Sequence, residues 1–210
     1  MAKRKSSLGA PGADAERAGP AGRAARPETA PQAPVPAGAE GPDEFGPVVS
    51  SGHLASGAMP ALSEFEFGLI LASHAFHRWM VRCMAAAGVG DMSPLDVLVL
   101  HNVAHRGKPK RLADICLVLN VEDTHVVAYS VKKLERLGLV QGKREGKEKL
   151  VAATEAGRAA CGRYRQVREA LLVRSIKKLG LDERELSAVA AEMRLLSGHY
   201  DQAARSAASL

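Results

Sequence analysis

Residues 110–154 read KRLADICLVLNVEDTHVVAYSVKKLERLGLVQGKREGKEKLVAAT. This stretch predicts one short helix, a tight turn, a longer helix and a basic hairpin: a helix-turn-helix followed by a wing. In the first helix Leu112, Ile115, Cys116 and Leu119 recur at i, i+3, i+4, i+7 and form its buried stripe. Asn120 stands where the chain must turn, and Asn tolerates the left-handed conformation that ends a helix. Glu122 and Asp123 then fall in the first turn of the second helix, where the positive end of the macrodipole favours carboxylates. At about 100° per residue the second helix sorts into two faces. Val126, Val127, Val131, Leu134 and Leu137 form the apolar one, and Thr124, His125, Ala128, Tyr129, Lys132 and Arg136 form the other. An ordinary solvated face is commonly rich in Glu/Lys pairs; small, hydrogen-bonding and cationic groups together are what reads base edges and grips phosphates in a major groove.

Charge follows the same stretch. From Arg106 to Lys149 there are 11 Lys/Arg against 6 Asp/Glu, a net +5 out of a chain total of +6. Lys143, Arg144, Lys147 and Lys149 crowd the hairpin tip around Gly146. Positive charge concentrated on one motif is an electrostatic footprint for nucleic acid.

The runs LADICLVL and THVVAYSVKKLERLGLV, with the hairpin ending in Thr154-Glu155-Ala156-Gly157, resemble the winged helix-turn-helix of the MarR family of bacterial transcriptional regulators. Leu134-Glu135-x-x-Gly138-Leu139-Val140 and Thr154-Glu155-x-Gly157 are the most specific pieces, and the likeness extends over residues 63–210. One departure stands out. MarR-type wings usually carry an Asp-x-Arg whose Arg enters the minor groove, whereas this shorter wing has Arg144-Glu145-Gly146-Lys147.

Outside the motif the chain has two kinds of material. Residues 1–62 hold 9 Pro and 9 Gly, with six Lys/Arg balanced by six Asp/Glu. That composition predicts a disordered Ala/Pro/Gly-rich tail, because too little apolar area is available to offset chain entropy. No signal-peptide core follows Lys3-Arg4-Lys5 and no run of 18 apolar residues occurs, so a cytoplasmic protein with no membrane partner is expected. Residues 63–210 suffice for one domain, mainly α with a small antiparallel β-hairpin. The winged helix-turn-helix takes about 93–153, within it a helix at 93–105, and outer helices lie at 63–87, 154–179 and 182–207. Helix starts are marked by Ser63-x-x-Glu66, Ser93-Pro94 with Asp96, Thr154-Glu155 and Asp182-x-x-Glu185.

The outer helices carry more apolar surface than a winged helix needs. Leu186, Val189, Ala190, Met193, Leu196 and Tyr200 stripe the last one, and Phe65, Leu69, Phe76 and Met80 the first. In MarR-like proteins these helices interlock two subunits, so the resemblance implies a homodimer, with the outer helices at 63–87 and 154–207 joining the copies. It also implies small aromatic or anionic effectors bound between the outer helices and the winged domain. Phe76, His77, Trp79 and Arg82 are the candidates to line such a pocket, and they read equally as dimer-core residues with a surface Arg.

Other chemistry is weakly signalled. The pairs His74/His77 and His101/His105 have helical spacing, but no third ligand is specified, and no metal or other cofactor is expected. Cys83, Cys116 and Cys161 are scattered and odd in number, which suits a reducing compartment. No nucleophile elbow, phosphate-binding Lys loop, H-E-x-x-H or C-x-x-C appears, so no enzyme is expected. The expected function is sequence-specific binding of double-stranded DNA by a dimeric repressor. On this reading Thr124, His125, Ala128, Tyr129 and Lys132 enter the major groove, while Lys133, Arg136 and the wing residues Lys143, Arg144 and Lys147 hold backbone or minor groove. The alternatives are a winged-helix module for protein contact or non-specific architectural DNA binding, and a metal- or thiol-based sensor.

Overall fold

The computed structural model describes residues 46–145 and 148–210. Residues 1–45, most of the expected tail, lie outside the described residues, as do Gly146 and Lys147 at the wing tip. In chain order the elements are α1 (Gly52–Ala55), α2 (Pro60–Ala86), α3 (Pro94–Ala104), β1 (Lys110–Arg111), α4 (Leu112–Leu119), α5 (Thr124–Arg136), β2 (Val140–Glu145), β3 (Glu148–Ala153), α6 (Glu155–Arg168), α7 (Arg174–Lys178) and α8 (Glu183–Ala207). The mainly helical class with a small antiparallel sheet is as expected. The sheet has a third strand that the sequence does not announce: β1 pairs with β3, giving the order β1-β3-β2.

Two helix starts differ from the sequence expectation. α2 begins at Pro60, three residues before Ser63, because proline is pre-organised for a first helical turn. The Ser63/Glu66 capping box therefore does not form. Ser63 is buried and donates to the Leu54 carbonyl at 2.8 Å, while Glu66 accepts from the Tyr200 hydroxyl at 3.1 Å. Asp123 is the N-cap of α5 rather than part of its first turn, its carboxylate accepting the His125 N–H at 2.8 Å. The Ser93/Asp96 and Asp182/Glu185 boxes and the Thr154 cap form as read. Asn120 adopts φ 52, ψ 48 and ends α4, with the Val121 N–H returning to the Cys116 carbonyl at 3.0 Å. The helix expected at 154–179 is interrupted by a π-helical turn at Glu169–Val173.

The core gathers the second half of α2, all of α3, the inner faces of α4 and α5, the sheet and the first half of α6. Met84, Val97, Leu100, Ile115, Val127 and Leu134 are among its fully buried side chains. Ile115 and Cys116 carry the α4 stripe into it, with Leu112 and Leu119 half-buried at its edge. α8 contributes no buried residue to this core. Among the described residues no helix is long and apolar enough to cross a membrane.

Candidate nucleic-acid interface

α5 is oriented by a narrow buried arc. Val127, Ser130, Val131 and Leu134 are buried, and at about 100° per residue they span one side of the helix. Opposite them His125, Tyr129, Lys132 and Arg136 are exposed and fall within an arc of about 60°. Tyr129, at one edge of this arc, is 66% exposed. Thr124 is exposed and Ala128 half-buried on one shoulder. The other shoulder corrects the expected apolar face: Val126 and Leu137 are both 43% exposed, and buried Ser130 takes a place no hydrophobe occupies. α5 packs on α3, α4 and β2, and the strip that is buried is centred between Val127 and Leu134, so the broader stripe read from hydrophobicity overshoots it.

The exit from α5 is set by main-chain geometry. Gly138 has φ +70, its N–H bonds the Glu135 carbonyl at 3.0 Å, and the Leu139 N–H bonds the Leu134 carbonyl at 2.9 Å. That is a Schellman ending, with buried Leu134 and Leu139 as its apolar pair. Thr154 then ties the end of the hairpin to the start of β2. Its hydroxyl donates to the Gly138 carbonyl at 2.7 Å and accepts the Gly157 N–H at 3.0 Å, and its own N–H donates to the Leu139 carbonyl at 3.0 Å. A Cβ at Gly157 would stand 2.0 Å from the Leu139 oxygen, so only glycine permits this approach. The two short sequence signatures thus meet in space, where they lock recognition helix, wing and α6 to one another.

Lys133 is placed otherwise than the exposed cations. Its ammonium lies 3.0 Å from the Asp96 carboxylate, and the two side chains are 18% and 3% exposed. Asp91 stands 3.9 Å away with its carboxylate in solvent. Burial pushes the Asp96 carboxyl up, but hydrogen bonds from the Ser93 backbone, Ser130, Lys133 and the Ser93 hydroxyl outweigh it and hold the group below its ordinary value. Asp96 and Ser130 are functional candidates that sequence reasoning missed. Asp96 was legible only as a helix-start residue, and nothing in the chain order links it to α5.

On the wing, Lys143 and Arg144 are exposed on β2, opposite Leu150 and Lys149 in the register. Lys147 lies outside the described residues. β2 packs on α5, so the exposed wing cations and the exposed arc of the helix belong to one folded unit.

The four candidate effector residues do not converge on one face of α2. Phe76 is 52% exposed and Arg82 is exposed, His77 is half-buried, and Trp79 packs against the core beside Tyr164. His101 sits under Tyr164 in an edge-to-face contact, centroids 4.6 Å apart, and its Nε2 has no hydrogen-bond partner. Burial pulls this imidazole below its ordinary value. Cys83 and Cys116 are buried and Cys161 half-buried, with burial pushing the Cys161 thiol up to about 11. Among the described residues no three His, Cys, Asp or Glu side chains are grouped to hold a metal ion.

Residues 92–157 match the family model described as a winged helix DNA-binding domain. No curated protein matches the chain. Solved structures do. CouR from Rhodococcus jostii RHA1, bound to p-coumaroyl-CoA, superposes with a TM-score of 0.53 at 17% identity, covering 63% of this chain and 90% of CouR. A MarR family transcriptional regulator from Rhodococcus sp. RHA1 gives 0.53 and 17% over 63% and 91% of the two chains. NMB1585, a MarR family regulator from Neisseria meningitidis, gives 0.53 and 16% over 68% and 95%. Residues 92–157 are thus similar to a winged helix DNA-binding domain, and the chain shares the fold of the MarR-family transcriptional regulators.

Proposed function

We infer that the protein is a transcriptional repressor that binds a specific duplex sequence as a homodimer. The observation that carries this reading is the exposed arc of α5, where His125, Tyr129, Lys132 and Arg136 stand directly opposite the buried side. Lys132 and Arg136 are cations aimed outward. Tyr129 offers an apolar ring for a thymine methyl and a hydroxyl for a base edge, and His125 reaches out from the N-terminal turn. Thr124 and Ala128 line the shoulder of that contact, and Lys143, Arg144 and Lys147 take backbone or minor groove.

Dimer formation is supported by apolar surface the single chain leaves uncovered. Leu186, Val189, Met193 and Leu195 on α8 are 38–65% exposed, as are Ile70, Leu71 and Phe76 on α2 at 45–54%. A two-fold pairing of these helices gives each dimer two copies of α5, suited to half-sites about one helical turn apart. Response to a small aromatic or anionic effector is the finer part of the reading. CouR's p-coumaroyl-CoA supports it by analogy, and here Trp79, the single tryptophan, sits at the junction of α2 and α6.

Selection of bound duplexes from a random pool at two salt concentrations, with mass measured in solution, tests the whole reading. Enrichment of a palindrome bound by a dimer is the expected result. Binding without enrichment leaves a non-specific architectural protein, and no binding ends the DNA reading.

A further inference from the structure

Lys132 and Lys133 are neighbours in sequence and both looked like DNA contacts, yet the fold treats them differently. Lys132 is exposed on the groove-facing arc. Lys133 lies about 70° around the helix from the middle of that arc, with its ammonium drawn inward to Asp96. Asp96 is the third residue of α3 and a full partner in its capping box: its carboxylate accepts the Ser93 N–H at 2.8 Å, and its own N–H donates to the Ser93 hydroxyl at 3.1 Å. The same carboxylate holds the Lys133 ammonium of α5 at 3.0 Å, and buried Ser130 of α5 lines the same cleft, its hydroxyl helping to keep the carboxyl below its ordinary value. One side chain, 3% exposed, therefore joins the start of the supporting helix to two successive positions along the recognition helix.

We propose that Asp96 is a positioning residue for DNA recognition, fixing the roll of α5 through Ser130 and Lys133 and withholding the Lys133 charge from the DNA backbone. This rests on the DNA-binding reading above and deepens it. Apolar packing alone sets the roll of a helix softly, because the contacts of Val127, Val131 and Leu134 are non-directional. Two polar positions of one helix held against a fixed carboxylate, one of them by an ion pair at 3.0 Å, set it directionally, at the accuracy that base-edge contacts require. Charge is the second consequence. Lys133 borders, with His125 and Tyr129, an open cleft of about 340 Å³ on the groove-facing side. Released from Asp96, a flexible lysine stem can swing its ammonium across that cleft toward a phosphate. Asp91, 3.9 Å away, is too exposed to hold it there.

The two consequences give opposite signs, which makes the proposal testable. Salt dependence and the ratio of affinities for the selected site and for a mixed-sequence duplex are measured on the full chain and on Asp96→Asn, Ser130→Ala and Asp96→Asn/Lys133→Met. Asp96→Asn is expected to steepen the salt slope by about 0.9, one more phosphate neutralised. Its affinity ratio is expected to fall by about tenfold, the worth of one good base contact. Adding Lys133→Met restores the wild-type slope without restoring the ratio. Ser130→Ala keeps the charge pair, folds with a smaller buried side chain, and lowers the ratio with the slope unchanged, so it carries the test even where Asp96→Asn does not fold. A wild-type slope in Asp96→Asn with a slope about 0.9 shallower in the double variant overturns the proposal, because Lys133 then already holds a phosphate. An unchanged ratio in both Asp96→Asn and Ser130→Ala overturns it too. Absence of any duplex binding by the wild-type chain is a different result, which ends the DNA reading itself.

Discussion

Alanine in place of Gly157 is expected to destabilise the protein, although Gly157 lies in a helix where alanine is the better residue. Helix propensity alone favours the change by about 1 kcal/mol. The new Cβ, however, would stand 2.0 Å from the Leu139 carbonyl oxygen, 3.0 Å from its carbon and 3.4 Å from Leu100 Cδ1. Since the nearest of these is backbone, α6 must withdraw by about 1 Å or more, a shift that overpacking measurements place at roughly 1–3 kcal/mol. The withdrawal also stretches the Thr154 N–H bond to Leu139, at 3.0 Å, which contributes about 1 kcal/mol. The net expectation is a loss of about 1–3 kcal/mol, a fall in Tm of about 2–12 °C for a chain of this size. Gly162 lies one and a half turns further along the same helix with nothing within 4 Å of its would-be Cβ. Gly162→Ala is therefore expected to raise Tm by about 2–4 °C. Both variants are melted by circular dichroism at one fixed protomer concentration, since association shifts the apparent Tm. A Gly157→Ala protein as stable as the wild type refutes the close approach of α6 to the start of β2.

Lys132→Ala is expected to weaken binding to the selected duplex by about 1–3 kcal/mol and to relax preference at one base position, read by titration against single-substitution sites. Asn120→Val puts a β-branched residue at φ 52 and is expected to cost about 1–2 kcal/mol, whereas Asn120→Gly stays near neutral; urea melts compare the two. His101 gives a pH dependence of defined sign. Burial holds its folded-state pKa below the ordinary 6.5, so below that pH the unfolded chain binds more protons and stability falls as pH falls through 6.5 toward the folded value. Its contribution to that slope is expected to vanish in His101→Phe, and a slope identical in the two proteins counts against a neutral buried imidazole. Asp96 also has a lowered folded-state pKa, and its contribution is lost only on acidification below the ordinary 3.8.

Local signals in this sequence were readable where local physics decides. Asn120, Ser93-Pro94-x-Asp96, Thr154 and Asp182-x-x-Glu185 all act within a few residues of chain, and each ends or starts the helix it announces. Ser63/Glu66 has the same spacing and fails, because Pro60 starts the helix earlier and both side chains find distant partners in Leu54 and Tyr200. The two-residue β1 is too short to show a period of two, and exists only because β3 offers a free edge. At the interface the exposed arc was legible from the 3.6-residue period. Its boundaries were not. Val126 and Leu137 look like core by hydrophobicity and Lys133 looks like surface by charge, yet Val126 and Leu137 are 43% exposed and Lys133 is drawn inward by one carboxylate 37 residues upstream.

The same distinction bears on α8. Its 25 residues include a complete capping box and an apolar stripe, but no residue of it is buried. Among the described residues its polar ties to the rest of the chain are the Tyr200–Glu66 bond at 3.1 Å and the Asn120–Asp201 contacts at 3.4 and 3.5 Å, clustered near its C-terminal end. Exposed hydrogen bonds of that kind contribute about 1 kcal/mol each, and most of the stability of a protein helix comes from packing its apolar face rather than from propensity. Leu186, Val189 and Met193 are still 38–50% exposed, and burying the remainder would add about half of the roughly 1.5–3 kcal/mol of a full burial for each, together at least as much as the polar ties supply. A helix so regular in its caps and stripe and so poor in its own contacts is accounted for if another surface completes it. A second copy of the chain supplies a stripe of the same length and spacing, related by the two-fold axis that a pair of recognition helices also needs. On this reading Asn120 acquires a second use beyond its backbone conformation: it joins the turn of the helix-turn-helix to the helix on which the two copies meet, so the spacing of the dimer and the placement of α5 are set through one residue.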